Sequence, residues 1–285
     1  MERFKCHYDK IKFIYFKHLL DKNGFVYYGN NNTPTNKIAA FIGDRFNVYV
    51  DCHDGGTGEN NPKVICHACG KPFLYFKTAY SPLDYESAIE GFDGCGVVEP
   101  FFKWCGANST DGFFNQLYPF RKQFIEKNKN TIKNYDIGFC CALEGHAVSE
   151  IRKDYYHKFK CIFGDKFYHR EKLKYPEYIN QSLQWKTSFN CRGCGEYTSR
   201  IIDACSIGKP SILSSIYFDN AISWKGYIPQ INFEDNEWVK SISDVIDNYD
   251  EWGQKCLYYF EHYWTPDAIF QYMITRINKF ESELK

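Results

Sequence analysis

The chain reads as an α/β protein of two domains, and three observations lead there. At 285 residues it is long enough for two hydrophobic cores of ordinary size. Short apolar runs, such as residues 47–50 and 72–77, alternate with stretches of helical rhythm, the pattern of a sheet that carries helices on its faces. Residues 189–215 then hold a whole strand–loop–helix–strand unit. Phe189 forms the apolar entry, Gly193 and Gly195 break the loop, and Thr198 and Ser199 lead into a helical run that ends at Gly208 and Pro210 before an apolar strand.

The elements follow in chain order. Residues 10–24 have a helical rhythm stopped at Gly24, 25–29 read as a strand, and a polar turn follows. The buried strand at 47–50 runs into Asp51, His53 and Asp54, ahead of Gly55, Gly56 and Gly58. Loops beyond the carboxyl ends of strands hold the chemistry of open α/β sheets, which places this histidine and these acids toward a cleft. On pattern alone, an ordinary hydrophilic strand exit is the plainer explanation. Residues 72–77 form the next strand, with Lys77 and Tyr80 placed toward the same cleft by position only. Residues 83–134 are less regular, and the charged, Asn- and Lys-rich segment at their end marks a boundary near residue 130, giving domains 1–130 and 131–285.

In the second domain, the strand at 136–143 leads into Glu144, Gly145 and His146, then into a helix whose first turn carries Ser149, Glu150 and Arg152. Residues 177–188 have helical spacing, and 227–233 read as a short strand. Residues 236–280 are predominantly helical with a break at Pro266, and their aromatic stripe reads as core packing. The last helix is expected to cross back to the first domain.

Composition narrows the function. Lys plus Arg and Asp plus Glu both number 35, a zero net charge that argues against a dedicated nucleic-acid or anionic-membrane binder. There is no apolar run of about 18 residues and no signal-like N-terminus, so the expected location is the cytoplasm. Thirteen cysteines, an odd number without an export signal, point to reduced thiols. The pairs Cys66/Cys69 and Cys191/Cys194 could in principle close one zinc site, giving a zinc-stabilised interaction module, but they lie far apart with sheet and helix patterns between them.

Within residues 189–215, Arg200 offers a guanidinium fork suited to phosphate, and Asp203, three residues on, offers an acceptor suited to ribose hydroxyls. A surface Arg–Asp pair explains the two equally well. The stretch resembles the signature of the exostosin-type glycosyltransferases, glycosyltransferase family forty-seven, through Cys191 and Cys194 with their glycines, Ser199–Arg200, Asp203–Ala204, Gly208 and Pro210. A second stretch, residues 45–56, is similar to that family's apolar strand running into His-Asp-aromatic-Gly, with Gly55 where the aromatic is usual.

The resemblance implies the GT-B architecture, two Rossmann-like domains facing a cleft, with an N-terminal acceptor-side domain and a C-terminal domain for the nucleotide sugar. It implies an inverting transfer from a UDP-linked donor, xylose being the first guess, to a hydroxyl of a glycan or glycoprotein. On this reading Asp54 is the candidate base, with His53 either the base or the group that orients it. Arg200, Asp203, Arg152 and Ser199 bind the donor, and Tyr197 and Glu196 contact its base or sugar. No Asp-x-Asp triplet occurs, so no metal and no cofactor beyond the donor are expected. Short, membrane-free members of this kind are encoded by large DNA viruses, and the Asn-, Lys- and Tyr-rich composition suits such a source. A non-catalytic nucleotide- or glycan-binding protein of the same fold is the alternative.

Overall fold

The computed structural model describes residues 3–8, 20, 25–29, 38–51, 70–77, 96–100, 117–145, 148–171, 173–191, 200–214 and 222–284. Among them are strands β1 (Phe4–His7), β2 (Phe25–Gly29), β3 (Ile38–Ile42), β4 (Asn47–Asp51), β5 (Phe73–Lys77), β6 (Gly96–Pro100), β7 (Tyr135–Phe139), β8 (Phe167–His169), β9 (Trp185–Asn190), β10 (Ser211–Ser214) and β11 (Gln230–Ile231). The α-helices are α1 (Arg121–Asn128), α2 (Ser149–Phe163), α3 (Tyr175–Ser182), α4 (Arg200–Ser206), α5 (Trp238–Asp247), α6 (Tyr249–Tyr259) and α7 (Pro266–Glu283). The chain divides into two compact units, one of Met1–Ala107, Tyr217–Ser223 and Tyr263–Lys285, the other of Asn108–Ile216 and Trp224–His262.

The first unit holds a six-stranded sheet in the order β2-β1-β3-β4-β5-β6. Strands β4, β5 and β6 run parallel, whereas β3 is antiparallel to both of its neighbours. Every residue of β4 and β5 is buried, which is why these strands read as unbroken apolar runs rather than alternating ones. Helix α7 belongs to this unit. It starts at Thr265, whose side chain accepts from the Ala268 N–H at 3.3 Å, and Pro266 occupies the first helical position, where its missing N–H costs nothing. Its buried stripe is Ile269, Phe270, Met273, Ile277 and Phe280. Phe280 meets Phe46 edge-on at 5.3 Å and Phe270 meets Phe25 at 6.2 Å, while Arg276 forks onto both carboxylate oxygens of Glu99 in β6. The return of the last helix to the N-terminal unit, expected from the sequence, is thus observed.

The second unit is a five-stranded, wholly parallel sheet in the order β11-β10-β9-β7-β8. Strand β8 lies on one side of β7, and β9 with its successors on the other, the doubly wound Rossmann-like arrangement with its order reversing between β7 and β9. Helices α2 and α5 cover one face through Phe159, Ile242 and Val245, packed on Ile137, Phe139, Phe189 and Ile212. Gly138 in β7 is required by close approach, because a Cβ there would fall on the ring of Trp185.

Two elements differ from their sequence reading. The helical spacing at 177–188 stops at Ser182, where hydrogen bonds from Leu183 and Gln184 back to Asn180 and Gln181 tighten the turn, and residues 185–190 become β9. The run at 227–233 yields only the two residues of β11, closed by the Asn232 side chain, which accepts from the Glu234 N–H at 3.1 Å. Strands β1, β3, β6 and β8 were not singled out in the sequence at all.

Candidate active site

In a sheet of this order, ligands bind beyond the carboxyl ends of the strands where the order reverses, here past Phe139 of β7 and Asn190 of β9. The pairing Ile137↔Thr187 and Gly138↔Ser188, carried forward, sets Cys141 opposite Cys191 on that rim. Both cysteines are buried, and their side chains hydrogen-bond each other. The bond with Cys141 and the Arg152 guanidinium hold the Cys191 thiol below its usual range, while the same bond and burial push Cys141 up. The seven described cysteines are all free thiols.

Two arginines converge here. Arg152 closes the first turn of α2, its N–H bonded to the Val148 carbonyl at 3.2 Å. Its Nη1 donates to the Ala142 carbonyl at 3.1 Å, its guanidinium also bonds Cys191, and its Nε is buried with no acceptor among the described residues. Arg200 is the first residue of α4, half-buried, with its guanidinium carbon 5.7 Å from the centre of the Tyr178 ring. Both positive charges act on the Cys141 thiol, so guanidiniums from two different helices share one rim.

Asp203 lies one helical turn beyond Arg200 but faces inward. It is 1% exposed, and its Oδ1 accepts from the Tyr175 hydroxyl at 2.9 Å. Burial pushes its carboxyl up to about 7, against the opposing pulls of Tyr175 and Arg200. Tyr178 lies next to this carboxyl, and burial together with the Asp203 charge raises its phenol far above the usual range, so it stays neutral. Tyr175 and Tyr178 escaped the sequence reading; their partners lie about a whole helix and strand further along the chain, and no local pattern links them.

His53, Asp54, Glu196, Tyr197 and Ser199 lie outside the described residues, as do Tyr80, His146, Cys66, Cys69 and Cys194. Lys77, placed toward a cleft by position, is instead 1% exposed. Its Nζ sits 3.1 Å from Asp51, which also accepts from the Tyr75 hydroxyl at 2.7 Å. The reason is register: Asp51 of β4 pairs directly with Lys77 of β5, and two buried opposite charges side by side stabilise each other. Among the described residues no group of His, Cys, Asp and Glu is arranged to hold a metal ion, and no helix is long and apolar enough to cross a membrane.

No family model and no curated protein sequence matches the chain. Among solved structures, it is similar to a sucrose-phosphate synthase from Thermosynechococcus elongatus, at 11% identity and a TM-score of 0.46, over 82% of this chain and 68% of that one. It is also similar to WaaG, a glycosyltransferase involved in lipopolysaccharide biosynthesis, at 10% identity and a TM-score of 0.41, over 88% and 78% of the two chains. A third similarity is to the GtfA/B complex, at 6% identity and a TM-score of 0.39, over 87% and 66%.

Proposed function

We propose that the protein transfers a glycosyl group from a nucleoside diphosphate sugar to a hydroxyl of a glycan or glycoprotein. The observation that carries this reading is the pairing of Arg152 and Arg200 at the point where the order of a parallel sheet reverses. A diphosphate is the ligand that such a rim suits: two forked cations offset its charge, and they do so most strongly as the bond to the sugar breaks and charge builds on the leaving oxygen. The buried Nε of Arg152 supplies one donor to that end. Asp203, buried and held by Tyr175, supports Arg200 through their mutual attraction.

The reaction is a single displacement. The acceptor hydroxyl oxygen attacks the anomeric carbon, its proton passes to Asp54 with His53 as base or orienting partner, and the carbon–oxygen bond to the diphosphate breaks with inversion. Arginines take the place of a metal ion on the leaving group, and UDP-xylose is the first donor to try.

The test combines nucleotide binding with turnover of UDP-sugars, each with and without EDTA. Arg200→Ala should weaken UDP binding by about 10–100-fold, the worth of a charge-assisted contact. Asp54→Asn should abolish transfer while UDP still binds. UDP binding without turnover of any nucleotide sugar would reduce the protein to a binding module, and UDP affinity unchanged in Arg200→Ala would remove the donor site from this rim.

A further inference from the structure

The opposite end of the same sheet holds a cavity of about 500 Å³ inside the C-terminal unit. It opens where β7, β9 and β10 begin, and α1 and α6 form its walls. This volume falls in the range of small-molecule sites. It is separate from the rim of Arg152 and Arg200, because parallel strands present opposite ends to the two.

Two of the amines that line the cavity have no ion-pair partner among the described residues. Lys209 is 6% exposed and donates to the Trp185 carbonyl. Lys133 donates to the Leu183 carbonyl at 2.8 Å. Neither has a carboxylate within ion-pair distance among the described residues, unlike Lys186, which meets Asp136 at 2.9 Å, and Lys129, which meets Glu126 at 2.5 Å. Asp250, which also lines the cavity, attracts Lys133 from beyond that distance. Each side-chain nitrogen spends one proton on a carbonyl and, charged or neutral, carries at least one more, so both retain donors for a ligand. Burial and their mutual repulsion pull Lys209 far below the ordinary amine range, and burial likewise lowers Lys133. Both effects favour the neutral amine at Lys209, and an anion seated between the two nitrogens would offset them and restore its proton. Tyr249 and Leu257 complete the wall with apolar surface.

We infer that this cavity binds a small phosphorylated molecule, its phosphate between Lys133 and Lys209 and its body against Tyr249 and Leu257. The site is independent of sugar transfer and stands whether or not the rim holds a donor. Inorganic phosphate is the probe, titrated by calorimetry and by the broadening of its phosphorus resonance, with chloride as the control anion. Saturable binding is expected, weakened at least tenfold by Lys133→Met and unchanged by Arg200→Ala. Lys209→Met should act in the same way; should its burial prevent folding, the half-exposed Lys133 carries the test alone. Absence of saturable binding, affinity unaffected by Lys133→Met, or affinity lost in Arg200→Ala instead would each overturn the inference.

Discussion

Asp203 shows how burial turns one carboxyl into a stability term. Its folded value lies near 7 and its unfolded one near 3.8, so the native state holds the proton more tightly. The sign follows: the contribution is fully present below pH 3.8 and is lost as pH rises toward 7, at about 1.4 kcal/mol per pH unit between the two. Asp203→Asn keeps an acceptor for Tyr175 and cannot ionise. Denaturant unfolding from pH 4 to 7 should therefore show a fall in the wild-type stability that the variant lacks, and parallel curves for the two proteins would refute the assignment. At this scale the sequence showed residue types but not directions. The three-residue spacing of Arg200 and Asp203 put both near one helical face, yet only packing against α3 reveals that the aspartate turns inward to Tyr175. The lysines were invisible for the same reason: Lys133 and Lys209 are far apart in sequence, and nothing local marks them as neighbours.

At the scale of elements, α4 was the most legible helix because its stop is chemical. Gly208 has φ of +68°, and the Lys209 N–H reaches back to the Ala204 carbonyl at 2.9 Å, a left-handed cap that glycine adopts without strain. The contact this cap makes was not legible. Gly253 of α6 lies so close that a Cβ there would strike the Gly208 carbonyl oxygen, and Cys205 and Cys256 hydrogen-bond across the same helix pair. Gly253→Ala should cost about 1–3 kcal/mol by overpacking, read as a lower midpoint in urea; an unchanged midpoint would mean that the helices separate freely. The strands fared by length. Fully buried β4 and β5 announce themselves as apolar runs, whereas β8, with three residues, and β11, with two, are strands only because neighbours supply their hydrogen bonds.

For the molecule as a whole, the α/β class followed from alternating patterns, but the mixed direction of the first sheet did not, since local patterns in one sequence do not reveal which strands pair. The role of α7 is testable. Its five buried apolar residues are each worth about 1.5–3 kcal/mol, together as much as the net stability of an ordinary domain. A chain ended after residue 262 should keep slow hydrogen exchange in β7, β9 and β10 and lose it in β3, β4 and β5; protection retained in the latter would show that the first sheet stands without its helix. The same helix sets an order of events during synthesis. The strands of the first unit leave the ribosome early, yet the surface that shields them emerges only after the whole parallel sheet of the second. The N-terminal half therefore cannot complete its core until residues 266–283 have left the ribosome.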